Sequence, residues 1–143
     1  EGKYRTINYY EWVDGKSPKL KCKHMVSKGI ISHIDVVKAD DKYWLVGNDV
    51  STEGFPLRLY SFDSPFDEEY KYEGVVLSKG KRGQWDERVI YRPSAVFVED
   101  NLWLYYSAYG SNPNTKNHVG LIKTSSWKQL QRCFLRNRID GRC

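Results

Sequence analysis

His33 and Asp35 stand two residues apart in an apolar run, so on a strand their side chains leave the same face. An imidazole beside a carboxylate can hydrogen-bond a hydroxyl of a bound molecule; the structural alternative is a polar pair at the mouth of a sheet. Arg92 and Ser94 hold the same spacing further along, in IYRPSAVFV. The guanidinium of Arg92 presents a fork of donors suited to a carboxylate or to hydroxyls, or else it pairs with Asp86 or Glu87 in the preceding WDERVIYR. Trp85 offers a flat face for stacking, or caps the end of a sheet. Asn48 and Asp49 close a strand, where they either reach the same site or serve the turn. No GxSxG, P-loop, GxGxxG or HExxH pattern occurs.

What must position these residues is a repeat. Without a gap, 33–48 (HIDVVKADDKYWLVGN) lies over 92–107 (RPSAVFVEDNLWLYYS), an offset of 59 from residue 33 to residue 92. Identities fall at Val37/Val96, Asp41/Asp100, Trp44/Trp103 and Leu45/Leu104. Ser78-Lys79-Gly80 echoes Ser27-Lys28-Gly29, and LRLYSFDSPF (57–66) resembles VGLIKTSSWK (119–128). Asp-rich turns between runs of Val, Ile, Tyr and Trp predict antiparallel hairpins, because Asp tolerates turn backbones and branched or aromatic side chains fit the pleat.

Each unit therefore reads as a four-stranded meander. The central unit is expected at 30–38, 42–48, 57–62 and 70–77, with the first turn at Ala39-Asp40-Asp41. The next is expected at 89–98, 102–108, 118–124 and 129–135, and the chain before Gly29 supplies two strands, 5–12 and 19–26. Trp44 and Trp103, at equivalent positions, are expected between units. The fold class is all-β, with four-stranded antiparallel meander blades of a β-propeller and about two and a half blades in this chain. The expected division is a half blade at 1–29, blades at 30–80 and 81–135, and a tail at 136–143, all in one partial propeller domain. A ring needs at least about four blades, and missing units leave terminal faces open. A second copy or the remainder of a longer chain is expected to complete it, since an open stack exposes large apolar faces.

Composition sets further bounds. The 143 residues, 40% hydrophobic and 15% aromatic, suffice for a domain with a real core. The net charge of +5 is scattered through turns such as SKGKRG (78–83), which does not suggest a nucleic-acid partner. Arg132, Arg136, Arg138 and Arg142 gather at the C-terminal end, where a solvated tail explains them. Cys22, Cys133 and Cys143 form no CxxC or Cys/His cluster, so neither a metal nor another cofactor is expected. Cys133 and Cys143 either close a small loop or remain thiols. No apolar run reaches the roughly 18 residues of a membrane span, and no membrane partner is expected. The polar start EGKYR does not read as a signal peptide. Location stays open, the extracellular side being favoured.

The stretch IYRPSAVFVEDNLWLYYSAY followed by HVGLIKTSSW resembles the blade pattern of the five-bladed β-propeller glycosidases, the arabinanase and β-xylosidase-like enzymes and their invertase-like relatives. The resemblance covers most of residues 30 to 130. It implies a glycoside hydrolase-like protein acting on an oligo- or polysaccharide through carboxylates in an axial funnel. A glycosidic bond breaks through an oxocarbenium-like transition state, so one carboxyl donates a proton while another activates water or attacks. In that family the acids sit on the first strands of successive blades, in settings such as Asp-Pro or Ala-Pro-Glu. Arg92-Pro93-Ser94 matches the second setting with Ser94 in the acid's place, and Asp35 aligns with it one blade earlier. By this resemblance Asp35 is the catalytic candidate, as base or acid-tuning group, with His33, Trp85, Arg92 and Ser94 as substrate-binding candidates. The serine at 94 keeps a second reading open, a non-catalytic carbohydrate-binding or assembly propeller.

Overall fold

The computed structural model describes residues 6–11, 15–25, 30–67, 69–111 and 117–130. These hold β1 (Thr6–Glu11), β2 (Lys19–Met25), β3 (Ile31–Ala39), β4 (Lys42–Asp49), β5 (Leu57–Phe62), β6 (Lys71–Leu77), β7 (Val89–Val98), β8 (Asn101–Tyr109) and β9 (His118–Thr124). Each pairs antiparallel with its neighbour in sequence, giving sheets ordered β1-β2, β3-β4-β5-β6 and β7-β8-β9. These are meander blades of a partial propeller.

The two-residue turns explain why the hairpins close as they do. Asp40 and Asp41 both take positive φ (53° and 57°), and so do Glu99 and Asp100 between β7 and β8 (47° and 60°). Two left-handed residues in a row match the right-handed twist of the flanking strands, and Asp tolerates that conformation better than most side chains.

Only the first two residues of one expected strand are described, and they are helical. Trp127 to Leu130 form a helical turn where a fourth strand over 129–135 was expected. Ser126 and Gln129 stand in the S-x-x-Q arrangement that caps a helix start. The N–H of Gln129 donates to Ser126 Oγ at 3.2 Å, and the N–H of Leu130 to the Ser126 carbonyl at 3.1 Å. Residues 131–135 lie outside the described residues, as do Cys133, Cys143 and the C-terminal arginines.

The main core lies between the two larger sheets. Val46, Leu57, Leu59 and Val76 meet Ile90, Leu102, Leu104, Tyr106 and Ala108, and the helical turn adds Trp127 and Leu130. Each fully buried Leu contributes about 1.5–3 kcal/mol. Trp44 packs against this core as expected, 6.3 Å from the Trp127 ring, with its Nε1 donating to the Ala39 carbonyl at 3.2 Å. Trp103 departs from the expectation. It leaves the opposite face of β8, under Lys123 Nζ at 5.0 Å, and its buried Nε1 has no partner. On the other face of the four-stranded sheet, Ile31, Leu45, Tyr60, Phe62 and Tyr70 form a second, aromatic cluster. The first strands of the two sheets, β3 and β7, pack side by side.

Candidate functional site

Both first strands carry a β-bulge at the same repeat position. The β3–β4 register shifts between Ser32 and Asp35, and the β7–β8 register between Tyr91 and Ser94. His33 (φ 46°) lies within the first bulge and Arg92 (φ 52°) within the second. A bulge inserts one residue, bends its strand and re-aims a side chain. The left-handed backbone costs a non-glycine residue about 1–2 kcal/mol, so the surroundings must hold it.

The bulge also changes which residues share a face. Ser32 and Asp35 lie opposite Asn48 and Val46, two positions on one face of β4. A Cβ placed on the intervening Gly47 would come within 2.5 Å of Ile31 and 2.9 Å of Ile34, so those two flank its face. His33 is the inserted residue. The simple alternation that paired it with Asp35 therefore does not run through this segment.

Asp35 is engaged at the junction of the two sheets. Its Oδ2 accepts the N–H of Ala95 on β7 at 2.7 Å, and its Oδ1 accepts the N–H of Val36 at 2.9 Å. Asn48, fully buried, makes a second tie. Its Nδ2 donates to the carbonyls of Phe55 (2.7 Å) and Ile90 (2.9 Å), and its Oδ1 accepts the N–H of Arg92 at 2.8 Å. The sequence left Asn48 either reaching the site or serving the turn. The available signal was a primary amide in an apolar strand, at a position where the second copy has Ser107.

Asp49 is a structural centre. Its carboxylate accepts from Ser51 N (3.0 Å), Ser51 Oγ (2.5 Å), Thr52 Oγ1 (2.6 Å) and Arg58 Nε (2.8 Å), and it forms an ion pair with Arg58 Nη2 at 2.5 Å. Burial pushes the carboxyl up, but the bonds from Ser51, Thr52 and Arg58 outweigh it and hold the pKa at about 2.

Arg92 and His33 are both exposed. The Arg92 guanidinium lies over the Tyr91 ring, 5.6 Å from its centroid, and no described carboxylate pairs with it. Asp86 instead accepts the Tyr106 hydroxyl at 3.3 Å, and Glu87 accepts the N–H groups of Gly83 and Ser111. Ser94 is exposed on the face of β7 turned away from the first sheet.

Trp85 belongs elsewhere. Its ring stacks on Tyr106 at 5.6 Å and meets the edge of His118 at 5.6 Å, over Gly120. A Cβ on Gly120 would come within 2.8 Å of that ring, so glycine makes room for the cap. Among the described residues no group of three or more His, Cys, Asp or Glu side chains gathers to hold a metal.

No protein-family model matches the chain, and no curated protein matches it. Solved structures do. A thermostable family-43 glycoside hydrolase aligns at TM-score 0.54 and 16% identity over 68% of this chain and 30% of its own. A family 117 glycoside hydrolase of Zobellia galactanivorans aligns at 0.56 and 12%, over 68% and 35%. An N-acetylgalactosamine deacetylase from F. plautii, in complex with blood group B trisaccharide, aligns at 0.59 and 17%, over 84% and 42%. The chain thus spans about a third of the length of the structures it resembles, and what it shares with them is the propeller glycosidase-like fold.

Proposed function

We propose that this chain is a carbohydrate-binding part of a glycoside hydrolase-like propeller, taking an oligo- or polysaccharide at the bulged first strands. His33 and Arg92 bind hydroxyl or acidic groups of the sugar, Ser94, on the face of β7 turned away from β3, takes no part, and Trp85 serves the end of its sheet. The observation that carries this reading is the engagement of Asp35. Both of its oxygens accept backbone N–H groups, one across the sheet junction, while the exposed groups at the bulges are an imidazole and a guanidinium. Those are ligand-holding groups, not the pair of carboxyls that glycoside hydrolysis requires.

The hydrolase reading keeps one supporting feature, Asp35 on a first strand next to an exposed His33. A panel of arabinosyl, xylosyl, fructosyl and mannosyl oligosaccharides separates the two. Binding without turnover is expected, with His33→Ala and Arg92→Ala each weakening affinity about tenfold. Asp35→Asn is expected to lower the thermal midpoint and leave binding in place. Turnover that Asp35→Asn abolishes would replace this reading with the hydrolase.

A further inference from the structure

We infer that Asn48 is a positioning residue for this site: it holds the backbone of Arg92, on the neighbouring sheet, and so sets where the guanidinium meets a saccharide. The inference rests on the saccharide-binding reading above. Asn48 has no solvent exposure, yet both donors and the acceptor of its amide are used. Two of its three partners, Ile90 and Arg92, lie on β7, 42 and 44 residues away in sequence.

The acceptor faces a specific need. Inside the bulge the β7–β8 register skips from Tyr91 to Ser94, so the N–H of Arg92 falls outside the ladder. A buried or half-buried N–H without an acceptor is costly, and Asn48 Oδ1 supplies one at 2.8 Å. The same bond fixes a residue at φ 52°, a conformation that persists only where neighbours over-determine it. The guanidinium sits at the end of a long side chain, so a modest change in the Arg92 backbone displaces it from any fixed ligand.

This is a property of one junction and not of the repeat. The position equivalent to Asn48 in the second sheet is Ser107, whose single hydroxyl is shorter and has one proton to donate where the amide has two. The amide therefore marks the junction that carries Arg92.

The test uses the purified protein and whichever saccharide of the panel it binds. Asn48→Ser is expected to weaken binding about tenfold, and to have no further effect in an Arg92→Ala background, because a residue acting through Arg92 has nothing left to position. Amide hydrogen exchange supplies a readout without ligand: Asn48→Ser speeds exchange at Arg92 more than at its β7 neighbours. Asn48→Asp, which keeps an oxygen facing Arg92 and loses the donors to Phe55 and Ile90, is expected to lower the thermal midpoint with the Arg92 amide still protected. Affinity unchanged in Asn48→Ser, or reduced equally in both backgrounds, overturns the positioning role and leaves the binding reading standing. A wild-type protein that binds no saccharide overturns both.

Discussion

Asp49 has no solvent exposure, and Ser51, Thr52 and Arg58 all donate to its carboxylate. Burial alone would raise its pKa, and the donors reverse that, holding it at about 2 against an ordinary 3.8. A folded pKa below the unfolded one stabilises the protein fully above the unfolded value, and the gain is lost as pH falls from 3.8 towards 2. The shift corresponds to roughly 2 kcal/mol. Urea midpoints measured from pH 7 to pH 2 should show wild type losing its advantage over Asp49→Asn below pH 4; parallel curves would refute the role given to this carboxylate. The site itself was partly legible at this scale. Divergence between repeat copies picked out His33, Asp35, Arg92 and Ser94, and the structure puts the first and third at matching bulges. The part hidden from sequence was the bulge, since neither His nor Arg signals a left-handed backbone as Gly or Asn would. Period-two reasoning does not carry across the inserted residue.

The strands were legible because alternation, turn residues and the repeat agree. Observed β5, β7 and β9 match the expected bounds, and β3, β4, β6 and β8 differ by a residue at one or both ends, while the remaining expected ends of β1 and β2, at residues 5, 12 and 26, lie outside the described residues. The helical turn at 127–130 was missed because its signal is four residues long: Ser126 and Gln129 form a capping pair that joins the expected loop to the first residue of the expected strand. The hairpin turns lead to a prediction at this scale. Asp41 and Asp100 hold φ of 57° and 60° at the second turn position, where glycine avoids the clash of Cβ with the following carbonyl. Set against glycine's greater entropy in the unfolded chain, Asp41→Gly and Asp100→Gly should each raise stability by about 0.5 kcal/mol. Chemical denaturation checks this, and a loss of stability at both sites would show that the Asp side chains contribute more than their backbones cost.

The whole molecule presents two faces with the same inheritance and opposite fates. Leu57 and Leu59, buried completely between the sheets, correspond in the aligned segments to Val119 and Leu121, which are 71% and 47% exposed. Val37 packs against the core while its counterpart Val96 is 43% exposed, and Trp44 lies between the sheets while Trp103 does not. The outward face of the β7–β9 sheet therefore repeats a surface that elsewhere receives another blade. Covering Val96, Val98, Val119 and Leu121 at roughly 1.5 kcal/mol each yields about 6 kcal/mol, comparable to the lower estimates of what two molecules lose in freedom on association. That balance leaves about 2 kcal/mol at most, so self-association of the 143-residue chain is expected to be weak and concentration-dependent, a rise in apparent mass by sedimentation equilibrium at about 1 mM and above. Replacing Val119 and Leu121 together by lysine should give a monomer with an unchanged thermal midpoint, because neither side chain belongs to the core between the sheets. In a longer polypeptide whose own blade covers this face, the same double substitution should instead lower the midpoint without changing the mass. A wild-type chain that stays monomeric throughout that range would show that the exposed face needs no partner.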